Sequence, residues 1–203
     1  IENFGFSDAD IDYLKTIGYK DDFLSYLKNL KFTGNIRSMQ EGELCFGNEP
    51  LIRVEAPLIQ AQLIETILLN IINFHTLIAT KASRIRQIAM NDTLMEFGTR
   101  RGQEIDAGLW GARAAFIGGF DSTSNVRAGK LFDIPVSGTH AHALVQTYGE
   151  EYTAFKKYAE RHKNCVFLVD TFHTLKSGVP TAIKVAKELG DTCLLYTSDA
   201  ADE

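Results

Sequence analysis

The sequence predicts an α/β fold with a parallel sheet, on three observations. From residue 93 onward, short apolar runs alternate with stretches of helical periodicity, the pattern of strand–helix units whose helices cover a parallel sheet. One of these runs, Cys165-Val166-Phe167-Leu168-Val169, is apolar at every position, as a strand buried on both faces must be. Polar residues cluster where successive runs end, at Arg100/Arg101, Thr139/His142 and Asp170/Thr171. In a parallel α/β barrel that edge is where sites are built. The alternation alone is compatible with a barrel and with an open sheet.

The elements follow in order. Residues 7–32 mix acidic and apolar positions at helical spacing, with Ser7-Asp8-Ala9-Asp10 as an N-cap and Phe23, Leu24, Leu27 and Leu30 as an apolar stripe. The turn Gly47-Asn48-Glu49-Pro50 leads into a strand at Leu51-Ile52-Arg53-Val54-Glu55. Pro57 suits the first turn of a helix. The apolar pairs Leu58/Ile59, Leu63/Ile64, Ile67/Leu68 and Ile71/Ile72 then predict a long helix to about Met90. Strands are expected at 93–97, 134–136 and 165–169, and helices at 106–117, 147–162 and 183–189. Phe97, Phe167 and Phe172 are expected in the core, and the cysteines as packing residues.

Composition narrows the function classes. The net charge of −5 and the scattered basic residues argue against a nucleic-acid partner. Three cysteines without a CxxC pair point to a reduced, cytoplasmic compartment. The longest apolar segment, Leu58 to Ile78, is interrupted by Gln60, Gln62, Glu65, Asn70, Asn73 and His75, so a buried amphipathic helix is expected rather than a membrane span. The chain opens without Met, and Thr192–Glu203 breaks the preceding pattern, in the manner of translated adapter read-through. The expectation is a piece of a longer protein with a tail foreign to its fold.

The chemistry-bearing motifs each have a bland reading beside the functional one. His140 and His142 stand two residues apart in the small-residue loop Gly138-Thr139-His140-Ala141-His142. An imidazole there is a candidate nucleophile, base or metal ligand, or a structural cap. No carboxylate or cysteine stands at metal-ligand spacing beside them, so no metal ligand set is assigned. Arg100-Arg101, after a strand and a glycine, could grip a phosphate or carboxylate bidentately, or lie solvated on the surface. Gly118-Gly119-Phe120-Asp121-Ser122-Thr123-Ser124-Asn125 offers backbone donors and hydroxyls to an anionic or heteroaromatic ligand, or is a turn between helices. Asp170 is either a structural carboxylate or a group that orients another.

Five segments in order resemble the nicotinate phosphoribosyltransferase family. They are Asn48-Glu49-Pro50-Leu51-Ile52-Arg53-Val54, Glu96-Phe97-Gly98-Thr99-Arg100-Arg101, residues 118–126, residues 138–142, and Asp170-Thr171-Phe172 with Ser177-Gly178-Val179-Pro180. The resemblance implies a type II phosphoribosyltransferase-like fold. Residues 1–56 would be a partial N-terminal α/β sandwich. Residues 57–191 would hold the long helix and the first part of an irregular α/β barrel, and 192–203 would be the off-family tail. It implies a ligase that joins nicotinate and 5-phosphoribosyl 1-pyrophosphate into nicotinate mononucleotide and pyrophosphate, within NAD biosynthesis. The resemblance also implies ATP hydrolysis coupled to turnover, with Mg2+ as a cofactor.

The resemblance also carries residue roles. His142 matches the histidine that ATP phosphorylates, and Thr139 matches the threonine that contacts nicotinate. Arg100, Arg101, Ser124, Asn125 and His140 would line the substrate pocket, with Asp170 behind them. A homodimer would complete the site. The aromatic-bearing segment with which the family usually begins is absent, and His173 stands where many relatives have an acidic residue. Two alternatives remain: a nicotinamide- or quinolinate-using phosphoribosyltransferase of the same fold, or a non-catalytic dimerisation or regulatory fragment.

Overall fold

The computed structural model describes residues 1, 3–163 and 165–190, with the backbone alone at 195–197. The N-terminal part holds helices α1 (Asp8–Thr16) and α2 (Asp21–Lys28) and the antiparallel pair β1 (Asn35–Ser38) and β2 (Ile52–Glu55). Ser7 caps α1 as expected. Its hydroxyl accepts from the Asp10 backbone N–H, and the Asp10 carboxylate reaches back to the Ser7 N–H at 2.8 Å, which satisfies two end donors that the helix itself leaves open. The predicted stripe is realised in buried Leu24 and Leu27 on α2 and in Leu30 just past its end.

Helix α3 (Leu58–Ala89) follows Pro57. Its expected burial is not realised within this chain: only Gln60, Ile64 and Ala82 are buried, while Leu58, Leu69, Leu77 and Ile88 are 63–83% exposed. The reason is geometric. At 32 residues α3 is far longer than the 13-residue helix at Ile105–Ile117 that it packs on most extensively, so much of its apolar surface is left uncovered along its length. By length and composition alone, α3 is long and apolar enough to cross a membrane.

Past α3 come the strand–helix units: β3 (Met95–Glu96), α4 (Ile105–Ile117), β4 (Ser122–Thr123), α5 (Val126–Phe132), α6 (His142–Tyr148), α7 (Glu151–Ala159), β5 (Val166–Leu168), α8 (Val179–Leu189) and β6 (Leu195–Thr197). β3 pairs with β4 in parallel, and Thr123 bridges to Val136, also in parallel. The strand predicted at 134–136 is thus reduced to one bridge. β4 lies inside the Gly-rich run, where its Ser-Thr composition gave no strand signal. The helix predicted at 147–162 is two helices, because Gly149 adopts φ +74° and its N–H caps the Val145 carbonyl.

β5 is buried at every position, as the sequence required. It forms a core with α6, α7 and α8, in which Phe155 and Phe167 stack at 4.7 Å beside Val145, Cys165 and Val185. Phe172, expected in this core, is half exposed in the loop after β5. β6 pairs in parallel with β5, so part of the tail expected to be irregular forms a strand; Thr192–Leu194 and Ser198–Glu203 lie outside the described residues.

Two close approaches fix the layers. Arg86, near the end of α3, donates from Nε to the Gly119 carbonyl at 2.6 Å, from one terminal nitrogen to the carbonyls of Met90 (3.1 Å) and Asp92 (2.7 Å), and from the other to the Asp121 carboxylate. Asp121 also accepts the Leu94 N–H at 2.7 Å, which ties α3 to the entry of β3 and β4. At the other approach, a five-residue π-turn, Thr174–Gly178, brings Gly178 against β5. A Cβ on Gly178 would fall 1.7 Å from the Val169 carbonyl oxygen, whereas Gly47 has nothing within 4 Å. Gly178→Ala should therefore lower stability by about 2–3 kcal/mol through overpacking, with Gly47→Ala as a near-neutral control. Equal midpoints for the two variants in thermal unfolding would contradict the close approach.

Candidate active site

The C-terminal ends of the parallel segments carry the polar residues. After β3, the 3-10 turn Gly98–Arg101 presents Arg100 and Arg101 at the surface. After β4, Ser124 is exposed and its N–H donates to the Glu96 carbonyl at 3.0 Å, extending the β3–β4 ladder. Asn125 is used internally: its Oδ1 accepts the Ala128 N–H at 3.0 Å to cap α5, and its Nδ2 donates to Thr99 Oγ1 at 3.3 Å. The turn and loop thus joined border a cleft of about 440 Å³, lined by Thr99, Gly102, Glu104, Ile105, Leu109, Ser124, Asn125 and Arg127. Glu104 and Arg127 bring opposite charges to this cleft, and sequence reasoning missed both.

The second group surrounds His142. Its Nδ1 lies 3.0 Å from Thr171 Oγ1 and its Nε2 lies 3.8 Å from Asp170 Oδ1. His142 opens α6 and is about one-third exposed, and Asp170 is mostly buried at the end of β5. The structure therefore unites His142 with Asp170 and Thr171, which the sequence had placed at the ends of different strands. Thr139 is half-buried and donates its hydroxyl to the His140 carbonyl at 2.8 Å, leaving the oxygen lone pairs available.

His140 turns the other way. It is buried among Phe155, Tyr158 and Phe167, and its Nε2 accepts the Leu168 N–H at 3.1 Å. That bond fixes the neutral tautomer with the proton on Nδ1, which faces the Ala141 carbonyl at 3.3 Å. Expected in the substrate pocket, His140 instead fastens the loop to β5. The chain turns between the two: Ala141 is the extended N-cap of α6 and His142 its first helical residue, so His142 faces Asp170 while His140 stays on the β5 side.

Burial holds the His140 imidazole below its ordinary pKa, reinforced by nearby His142 and opposed by the Ala141 hydrogen bond. The neutral ring is then favoured in the folded state, while the unfolded ring takes up a proton near pH 6.5, on the order of its free value. The contribution of His140 to stability is therefore complete above that pH and lost as the pH falls through it toward the lower folded value. His140→Ala should cost about 2–4 kcal/mol near neutrality, and His140→Gln should flatten the fall of Tm on acidification. An unchanged acid slope in His140→Gln would contradict the assignment.

Parallel strands followed by helices, with polar residues gathered at their C-terminal ends, define an α/β chain whose candidate site lies at that edge, and comparison with known proteins makes this specific. Residues 1–73 match the family model of the nicotinate phosphoribosyltransferase N-terminal domain. A nicotinate phosphoribosyltransferase of Bacillus subtilis is 67% identical over 192 residues, covering 94% of this chain and 39% of that protein. The crystal structure of human nicotinic acid phosphoribosyltransferase superposes with a TM-score of 0.78 at 30% identity, over 95% of this chain and 49% of that one. A nicotinate-nucleotide pyrophosphorylase from Pyrococcus furiosus superposes with a TM-score of 0.72 at 31% identity, over 81% of this chain and 42% of that one. The chain belongs to the nicotinate phosphoribosyltransferase family and has its type II phosphoribosyltransferase fold. It spans about two fifths of the length of the Bacillus relative.

Proposed function

We propose that the whole protein carrying this segment joins nicotinate and 5-phosphoribosyl 1-pyrophosphate into nicotinate mononucleotide and pyrophosphate, in NAD biosynthesis, with coupled ATP hydrolysis. The observation that carries the reading is His142, held between Thr171 and Asp170 at the end of a parallel strand. Asp170 favours the ring proton on Nε2. Nδ1, facing a rotatable hydroxyl, is then the nucleophile: it bonds to the γ-phosphorus as the bond to ADP breaks. In the transfer step the pyridine nitrogen bonds to the anomeric carbon, and the carbon–oxygen electron pair leaves with pyrophosphate. Arg100 and Arg101 are the cations for the developing charge or for the nicotinate carboxylate, with Thr139 and Ser124 as hydroxyl partners.

Among the described residues no three His, Cys, Asp or Glu side chains cluster to hold a metal. Asp170, 3.8 Å from His142, is the carboxylate that would hold magnesium beside the histidine, where the ion would supply charge stabilisation for the phosphates. We read residues 1–56 as part of the N-terminal domain and 57–191 as the start of the barrel. We read the whole protein as a cytoplasmic homodimer without nucleic-acid or membrane partners. Polar Gln62, Glu65, Asn70 and Asn73 interrupt the apolar surface of α3 and support a protein-packed helix over a span. Nicotinamide as substrate has one observation on its side, the Glu104 carboxylate in the cleft, and turnover of the two substrates side by side separates the readings.

In the whole protein, His142→Ala should abolish ATP consumption coupled to turnover while slower transfer persists; unchanged ATP consumed per nicotinate mononucleotide formed would contradict the phosphohistidine role. Arg100→Ala or Arg101→Ala should weaken binding of the anionic substrates by about 2–4 kcal/mol, the range for a desolvated charge pair. The corresponding Lys variants should recover only part of this, since an ammonium cannot reproduce a bidentate fork. Full recovery by Lys at both positions, measured as KM for each substrate, would exclude bidentate binding.

A further inference from the structure

Glu96 is a charged residue inside the otherwise apolar strand segment Leu94-Met95-Glu96-Phe97, and it is half-buried. Its Oε1 accepts the Gly98 N–H, the first amide of the turn that carries Arg100 and Arg101. Its Oε2 accepts the hydroxyl of Thr123 at 2.6 Å. Thr123 is fully buried, and its oxygen in turn accepts the Asn125 N–H at 3.0 Å. A Cβ at Gly98 would lie 2.7 Å from Glu96 Oε1, so the turn closes directly onto the carboxylate. One side chain therefore fixes the amide that begins the arginine turn and, through one hydroxyl, the amide of the residue that caps α5.

We propose that Glu96, acting through Thr123, is the positioning residue that sets the arginine turn and the Ser124–Asn125 loop against each other for binding of the phosphoribosyl substrate. This rests on the function proposed above. The polarity of the chain explains why a carboxylate is needed. A carboxylate accepts at both oxygens, so the Thr123 hydroxyl must donate to it and keeps its lone pairs for Asn125. In Glu96→Gln one oxygen still accepts from Gly98, but the amide NH2 then faces Thr123. The hydroxyl must turn round, and its proton is left without an acceptor in a site closed to water.

The test uses Glu96→Gln, Thr123→Val and Thr123→Ser in the whole protein, with amide hydrogen exchange and steady-state kinetics on each. Exchange at Gly98 and Asn125 should quicken about tenfold or more in Glu96→Gln and Thr123→Val, with α8 amides unchanged, because the opening is local. KM for 5-phosphoribosyl 1-pyrophosphate should rise about tenfold with kcat little changed. Thr123→Ser, which keeps the hydroxyl, should restore both readouts. Unchanged exchange at the two amides, equal acceleration throughout α8, or failure of Thr123→Ser to restore would each overturn the proposal. A wild-type protein that makes no nicotinate mononucleotide would overturn the function proposed above, and the exchange pattern would still decide whether Glu96 positions the loops.

Discussion

Every polar group of Thr123 is committed. Its N–H donates to the Pro135 carbonyl at 3.0 Å, its carbonyl accepts the Ser137 N–H at 3.0 Å, and its hydroxyl links Glu96 to Asn125. With no exposed surface, none of these groups can fall back on water, so each bond must be made for the sheet to form. Through this residue the parallel alignment passes from β3 to β4 and on to the Val136 bridge. The loops that follow, with Arg100, Ser124 and Thr139, are thereby brought to one edge. The short strands depend on this interlocking, since a two-residue pairing has too few ladder bonds to hold its register alone.

The second half of the site is fastened differently. The loop bearing His142 is joined to β5 by the side chain of His140, not by a backbone ladder. The two histidines thus divide the labour by side: one ring is sunk among Phe155, Tyr158 and Phe167 to hold the loop, and the other meets Thr171 and Asp170. A neutral, buried imidazole that accepts a backbone N–H leaves its neighbour two residues on facing the strand-end carboxylate. The role proposed for His142 rests on packing at His140.

How much of this was legible in the sequence follows from the range of the forces involved. The capping box at Ser7 and Asp10 and the all-apolar β5 are local signals, and both were read correctly. The Gly149 break was missed because a helical period runs through it, and only its left-handed conformation ends α6. β4 was missed because Ser122 and Thr123 carry no apolar signature; their burial comes from neighbours distant in sequence. Glu96 left a readable mark, a carboxylate in an apolar strand, but its partner could not be named without the fold. The exposed flank of α3 was invisible for the opposite reason, since an apolar stripe reports that a face can be covered, not that this chain covers it.

The division between His140 and His142 is the claim on which the functional account turns, and mapping of a phosphoryl group tests it most directly. Incubating the whole protein with ATP labelled at the γ-phosphate and magnesium, then locating the label by peptide mass spectrometry under alkaline conditions, should place it on His142 and not on His140. Label on His140, or on neither histidine while nicotinate mononucleotide still forms with ATP consumed, would contradict the account.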